Sequence, residues 1–286
     1  MTSGSVLFCS KGVVAKLAYG HGLDALSVLN LRMLIALPFF LVIAVLAAKG
    51  VPRLALSDWA RLAALGFVGY YLSSLVNFTG LQYISVGLER VILFSYPGIL
   101  LILSALVLWK RVPRTAWLAA AVAWIGILLA FGAEARVPVA DGNRPLGSLL
   151  VLLSAVIYAS YILMAGDAIR RVGAMLFGSI AVGFSCIFMC THFMIVYSVD
   201  DLFSYPAVVY GHGLTLAVFG TVAPALLMSV GLERAGPQRF AVMGAIGPVA
   251  TLFLAWAVLG EQPNGLQVLG LMFALAGGIA IVRLKG

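Results

Sequence analysis

Tyr70, Ser74 and Asn77 recur at i, i+4 and i+7, and Ser154, Tyr158 and Tyr161 repeat that spacing. On an α-helix each set shares one face. A tyrosine ring offers an apolar wall with a hydroxyl at its tip, so two such faces could line a passage for an amphipathic solute. Ser and Asn also serve as hydrogen-bonding groups between membrane helices. Both uses are open at this point.

Charges placed inside apolar stretches are the second chemical signal. Lys11, Lys16, Arg32, Glu89 and Arg90 all fall in such stretches, where a charge is costly and tends to face protein or a water-filled cavity. Lys11 lies about 10 Å into its segment at helical rise. It could offer a cation to a carboxylate, or snorkel to the headgroups. Lys16, nearer the segment end, is expected to snorkel, and Arg32 to hydrogen-bond within the protein. Glu89 and Arg90 point about 100° apart, so only one can look squarely into a passage. Arg90 shares a face with Phe94, Pro97 and Leu101. That makes Arg90 and Phe94 candidates for the passage wall, with a headgroup anchor as the other use of Arg90. Glu89, the most deeply placed carboxylate, raises a secondary reading of proton coupling.

Enzymatic chemistry finds little support. His21, His192 and His212 are scattered, and His21 with Asp24 is the one His–acid pair within a few residues, without a nucleophile beside it. Cys186, Cys190 and His192 lie close on one segment, but small buried thiols in a helix are the simpler reading. No phosphate-binding GxxxxGK[ST] pattern occurs. The reading is therefore no enzyme, no catalytic residues, no metal and no cofactor.

The elements that must carry these residues are set by composition. The 286 residues are 63% hydrophobic and only 10% charged, against about 25% charged in soluble domains. Such a chain cannot cover a water-facing surface and belongs in a lipid bilayer. Its net charge of +8 is spread over short loops, which suits orientation signals rather than a nucleic-acid footprint. Apolar runs long enough to span fall near 4–20, 25–48, 58–82, 85–109, 113–133, 147–167, 174–197, 209–233, 237–259 and 265–284. The fold class is thus all-α, with ten transmembrane helices. The polar stretch 134–146 divides the chain into units 1–133 and 147–286. The N-terminal residues lack a signal-peptide pattern.

With the N-terminus inside, twelve of the eighteen Lys and Arg fall in inner loops, and only Arg136 and Arg144 in outer ones. This bias places both termini in the cytoplasm. Five helices per unit then make the second unit enter the membrane inverted. The hexamer SVGLER occurs at Ser85–Arg90 and Ser229–Arg234, but it pairs the start of one helix with the end of another. An offset of 151 does better, superposing Gly69 on Gly220, Gly80 on Gly231, Pro97 on Pro248 and Gly126 on Gly277. Pro38, Pro97, Pro224 and Pro248 sit inside helices and each removes a backbone hydrogen bond. Pro97 and Pro248, being related by the offset, are candidates for paired conformational bends, with static kinks as the alternative. Gly270, Ala274 and Gly278 form a small-residue stripe, suited to helix packing or to a dimer face.

The order of these features resembles the EamA-type members of the drug/metabolite transporter superfamily. The resemblance is carried by "SKGVVAKLAYGHGLDALSVLNLRMLIALPFF", with Lys16 followed by Arg32, by "GLQYISVGLERVILFSYPGILLILSALVLWKRV", and by the stretch from "GLERAGPQRF" to "ALAGGIAIV". Two departures stand out. Trp109-Lys110 replaces a Gly-Glu loop common after helix 4, and helix 1 lacks the Glu used for proton exchange by small multidrug members. The resemblance implies a bundle with helices 5 and 10 at its periphery, where a homodimer could form. It also implies a bacterial inner-membrane protein exporting amino acids or similar small metabolites. A sugar-phosphate or nucleotide-sugar transporter of the same fold is the nearer alternative, and a membrane enzyme or receptor the more distant one.

Overall fold

A computed structural model describes residues 2–49, 54–107, 109, 112–134, 143–227 and 246–284, and no strand occurs among them. These residues form ten helices and one short 3-10 turn. The helices are α1 (Thr2–Tyr19), α2 (Ala25–Ala47), α3 (Leu56–Leu81), α4 (Val86–Val107) and α5 (Arg114–Glu134), then α6 (Arg144–Val172), α7 (Ala174–Val196), α8 (Ala207–Leu227), α9 (Ile246–Leu259) and α10 (Gly265–Leu284). Helices α2 to α8 are long and apolar enough to cross a membrane. The expected start of the ninth segment and the second SVGLER hexamer lie outside the described residues.

Side chains fix several helix starts. Asp24 Oδ1 accepts from the Ser27 N–H at 2.9 Å, Ser85 Oγ from Leu88 at 3.1 Å, and Asn143 Oδ1 from Leu146 at 3.2 Å. Each satisfies an N–H that the helix leaves orphaned. α6 runs five residues beyond its expected end at 167, because apolar content marks the bilayer and not the end of the helix. Its last turn is polar and carries an Asp167–Arg170 ion pair three residues apart.

Three helices depart from α-geometry. Phe67–Leu72 in α3 and Val218–Val222 in α8 form π turns, each holding an extra residue in the helix. α4 is interrupted at Phe94–Ser95, just ahead of Pro97, which cannot donate to the preceding turn.

Close packing relies on small residues. A Cβ on Gly80 would lie 2.8 Å from the Gly147 carbonyl, and one on Gly147 2.9 Å from that of Gly80. α3 and α6 therefore touch backbone to backbone. Gly126 of α5 meets Gly270 and Ala274 of α10 in the same way, and Gly277 meets Ala119 and Ala123. The small-residue stripe on α10 is used inside the chain, with Gly278 facing Phe94. Further pairings join α2 with α7, α3 with α7, α2 with α8, α1 with α8, α1 with α9, α4 with α6 and α4 with α9.

Candidate functional site

The structure gathers most of the sequence-derived candidates into two groups. The first is a column of rings midway along α3, α4 and α6. Tyr70 meets Tyr161 edge to face at 5.6 Å, Tyr161 stacks with Tyr158 at 5.9 Å, and Tyr158 meets Tyr96 at 5.7 Å. Phe177 of α7 backs Tyr161 at 6.2 Å. Tyr161 is buried, while Tyr158 is the open member at 39% exposed. The column exists because Gly69, in the π turn, leaves the space that the Tyr161 ring occupies.

The second group is polar and lies toward the other end of α3. Asn77 Nδ2 donates to Glu89 Oε1 at 3.0 Å, and Arg90 Nε lies 3.2 Å from Glu89 Oε2. All three residues are buried, Glu89 completely. Adjacent helical residues diverge, yet the long Arg90 side chain folds back to its neighbour, so one ion pair forms within α4. Gly12 of α1 lies beside it: a Cβ there would be in ordinary contact, 3.8 Å from both Arg90 Nη2 and Glu89 Oε2, and tight only against Val86 at 3.0 Å. Beside this pair, the Lys11 ammonium sits over the Phe78 ring at 5.4 Å and the Arg32 guanidinium at 5.2 Å, both within cation–π range. Tyr19 donates its hydroxyl to the Phe78 carbonyl at 2.9 Å. Lys11 also packs against Gly220 of the second π turn, where a Cβ would lie 3.7 Å from its own. Both π turns thus present a glycine to a candidate side chain.

The remaining candidates sit apart from these groups. Ser74 is half-buried. Ser73, one residue earlier, faces α6 instead: Ser154 Oγ donates to the Ser73 carbonyl at 2.8 Å and the two hydroxyls lie 3.3 Å apart. Tyr70, Ser73 and Gly80, at i, i+3 and i+10, all meet α6, a spacing that one helix face provides as readily as i+4. Phe94 packs on Gly278 of α10 and meets Tyr96 edge to face at 6.3 Å. Pro97 lies in the first turn of the helical stretch that follows the break in α4, and Pro248 lies within α9.

Sequence reading missed Tyr96, Phe78 and the Tyr71–His192 hydrogen bond of 2.9 Å. The break before Pro97 was the one signal that could have found Tyr96, because it changes which residues of α4 face α6. Phe78 gave none, being one apolar residue among many. Cys186 and Cys190 are neighbours with sulfurs 3.8 Å apart, and His192 turns to Tyr71.

Each end of the bundle is tied across elements. Asp58 of α3 pairs with Arg171 of α6 at 2.6 Å, and Arg61 with Asp167 at 3.5 Å. At the opposite end, both carboxylate oxygens of Glu261, in the α9–α10 connection, accept from the Val86 N–H at the start of α4, at 3.1 and 3.3 Å. His21 and His212 lie 5.5 Å apart there. Burial pushes the Tyr197 and Tyr205 hydroxyls up, with the Asp24 charge adding to both, so they stay protonated hydrogen-bond donors at neutral pH.

Comparison with known proteins agrees with this architecture. A crystal structure superposes on 99% of this chain and 95% of its own with a TM-score of 0.68 at 16% identity, a likeness of fold. The chain is 30% identical over 272 residues to the uncharacterized transporter YcbK of Bacillus subtilis, covering 93% of this chain and 86% of that protein. It is 26% identical to the uncharacterized transporter YetK of the same organism, over 90% of this chain and 77% of the relative. The model of the EamA-like transporter family matches residues 2–132 and again 145–283. A match over nearly the whole length, on a bundle of apolar helices, makes this chain a multi-pass membrane transporter of the EamA-like family.

Proposed function

We propose that the chain moves small metabolites by alternating access in the bacterial plasma membrane, with amino acids or related solutes carried outward. The observation that carries the reading is the tyrosine column contributed by α3, α4 and α6, together with a buried charged cluster on α3 and α4. A solute with an apolar body and a polar head fits such a surface. In this reading Tyr70, Tyr158 and Tyr161 form the apolar wall, with Ser74 and Phe94 at its margins, and Lys11, Asn77 and Arg90 handle the polar head. Pro97 and Pro248 provide the bends.

An inverted five-plus-five architecture with cytoplasmic termini underlies the proposal, and four observations support it. Advancing each helix by five turns the α3–α6 pairing into α8–α1, α3–α7 into α8–α2, and α4–α6 into α9–α1. The π turns begin at Phe67 and Val218, 151 residues apart. Positive φ angles recur at the same offset, +52° at Trp109 and +70° at Gly260. The family model matches in two blocks. A homodimer through α5 and α10 would use their outward residues such as Leu128 and Met272, since the small-residue stripe is spent within the chain.

The test is flux of labelled neutral, aromatic and basic amino acids, sugar phosphates and a cationic dye in proteoliposomes. Saturable amino-acid flux that falls at least tenfold in Tyr158→Ala supports the reading. Folded protein with no flux of any class removes it. The sugar-phosphate alternative draws on one observation, the convergence of Lys11 and Arg32 on a single ring.

A further inference from the structure

Arg32 is the buried charge that the site above leaves unexplained. It is 4% exposed and lies within α2, about two turns from its first residue. Among the described residues no carboxylate forms an ion pair with it, and its Nε has no hydrogen-bond partner. Glu89, the buried acid of this region, is already held by Arg90 and Asn77. The Tyr19 hydroxyl donates to the Phe78 carbonyl, and no hydrogen bond joins it to Arg32 among the described residues. What Arg32 does have is the face of Phe78, shared with the Lys11 ammonium.

A ring face offsets only part of the cost of burying a guanidinium. Two cations brought to one ring also repel each other in a low-dielectric setting. The guanidinium of Arg32, with its Nε unsatisfied and no carboxylate paired to it among the described residues, is completed by an anion.

We infer that Arg32, beside the Phe78 ring that Lys11 also approaches, is an anion subsite that takes the acidic head of the transported solute. The inference rests on the transporter reading and deepens it by naming the substrate class: a solute carrying a carboxylate or a phosphoryl group. Both groups present paired oxygens that a guanidinium can hold in a fork. Arg32 is then a specificity-determining residue, and compounds with the same body but no acid are excluded. The Glu89–Arg90 pair stays intact beside the subsite and sets the local charge without spending it.

Binding to the purified protein in detergent tests this without requiring transport. The probes are acetate and inorganic phosphate for the head alone, L-phenylalanine and glucose 6-phosphate for the two sources, and 2-phenylethylamine as the ring without the acid. Wild type is expected to bind at least one acid and to ignore the amine. Arg32→Gln loses that affinity tenfold or more, while Arg32→Lys recovers part of it. Whether L-phenylalanine or glucose 6-phosphate binds identifies the source of the head group. Unliganded Arg32→Met is expected to melt higher than wild type, since it removes an unpaired buried charge, and to lose its response to the acid. The inference is overturned if the amine binds as tightly as L-phenylalanine, if Arg32→Gln binds acids as wild type does, or if no acid binds at millimolar concentration. An Arg32→Met variant that melts lower and keeps its response to acids makes Arg32 a packing residue. Binding without flux in liposomes would remove the transporter reading and leave the subsite standing.

Discussion

At the scale of single residues, geometry is decided by a few positions where a side chain is missing or out of place. Gly69 is one: any Cβ there would overlap the Tyr161 ring. Gly69→Ala is expected to displace Tyr161 and cost about 1–3 kcal/mol through overpacking, read as a lower melting temperature and a fall in flux. Trp109 is the converse case, a bulky residue at φ +52°, while Gly260, 151 residues on, has φ +70°. The left-handed conformation costs a non-glycine residue roughly 1–2 kcal/mol. Trp109→Gly should therefore raise the melting temperature in detergent, and a drop would show that the indole contributes more than the strain removes. Residue identities were legible where they broke the apolar background: Tyr70, Tyr158 and Tyr161 do come together, as do Asn77 and Arg90. Phe78 was not legible, because its role comes from the two cations that approach it and not from its own type.

At the scale of elements, apolar windows located the helices well, since the bilayer demands one long apolar stretch per crossing. They could not show the π turns. A π turn arises when neighbouring helices hold both ends of a segment carrying one residue too many, and that constraint is tertiary. In the α3–α6 seam Ser73 and not Ser74 exchanges hydrogen bonds with Ser154, a choice between i+3 and i+4 that periodicity alone leaves open. A double-mutant cycle of Ser73→Ala and Ser154→Ala should give a coupling of about 0.5–1.5 kcal/mol. The same cycle with Ser74→Ala should give none. On the other side of the bundle, Gly126→Leu would push α5 off Gly270 and Ala274. It should lower stability while leaving the order of substrate preference unchanged, because α5 contributes no residue to either group of the site.

At the scale of the whole molecule, the two ends are tied by bonds of different kinds. On the proposed orientation the Glu261–Val86 contact closes the outer end, and the Asp58–Arg171 and Arg61–Asp167 pairs close the inner one. Glu261→Ala should expose the interior to the outside and Asp58→Asn to the inside. A cysteine in place of the buried Ser95, labelled by an impermeant maleimide in right-side-out and inside-out vesicles, reports both shifts. Equal labelling from both sides in both variants would show that these contacts do not govern access. The length of α6 adds a consequence. Its 29 residues extend about 43 Å, well beyond a hydrocarbon core of about 30 Å. The turn bearing Asp167, Arg170 and Arg171 therefore stands clear of the lipid, where mobile ions reach it. On the proposed orientation ionic strength becomes a one-sided control: salt in the cytoplasm screens the exposed Asp167 pairs within a Debye length of about 8 Å, and acts less on the Asp58–Arg171 pair, whose carboxylate is 13% exposed.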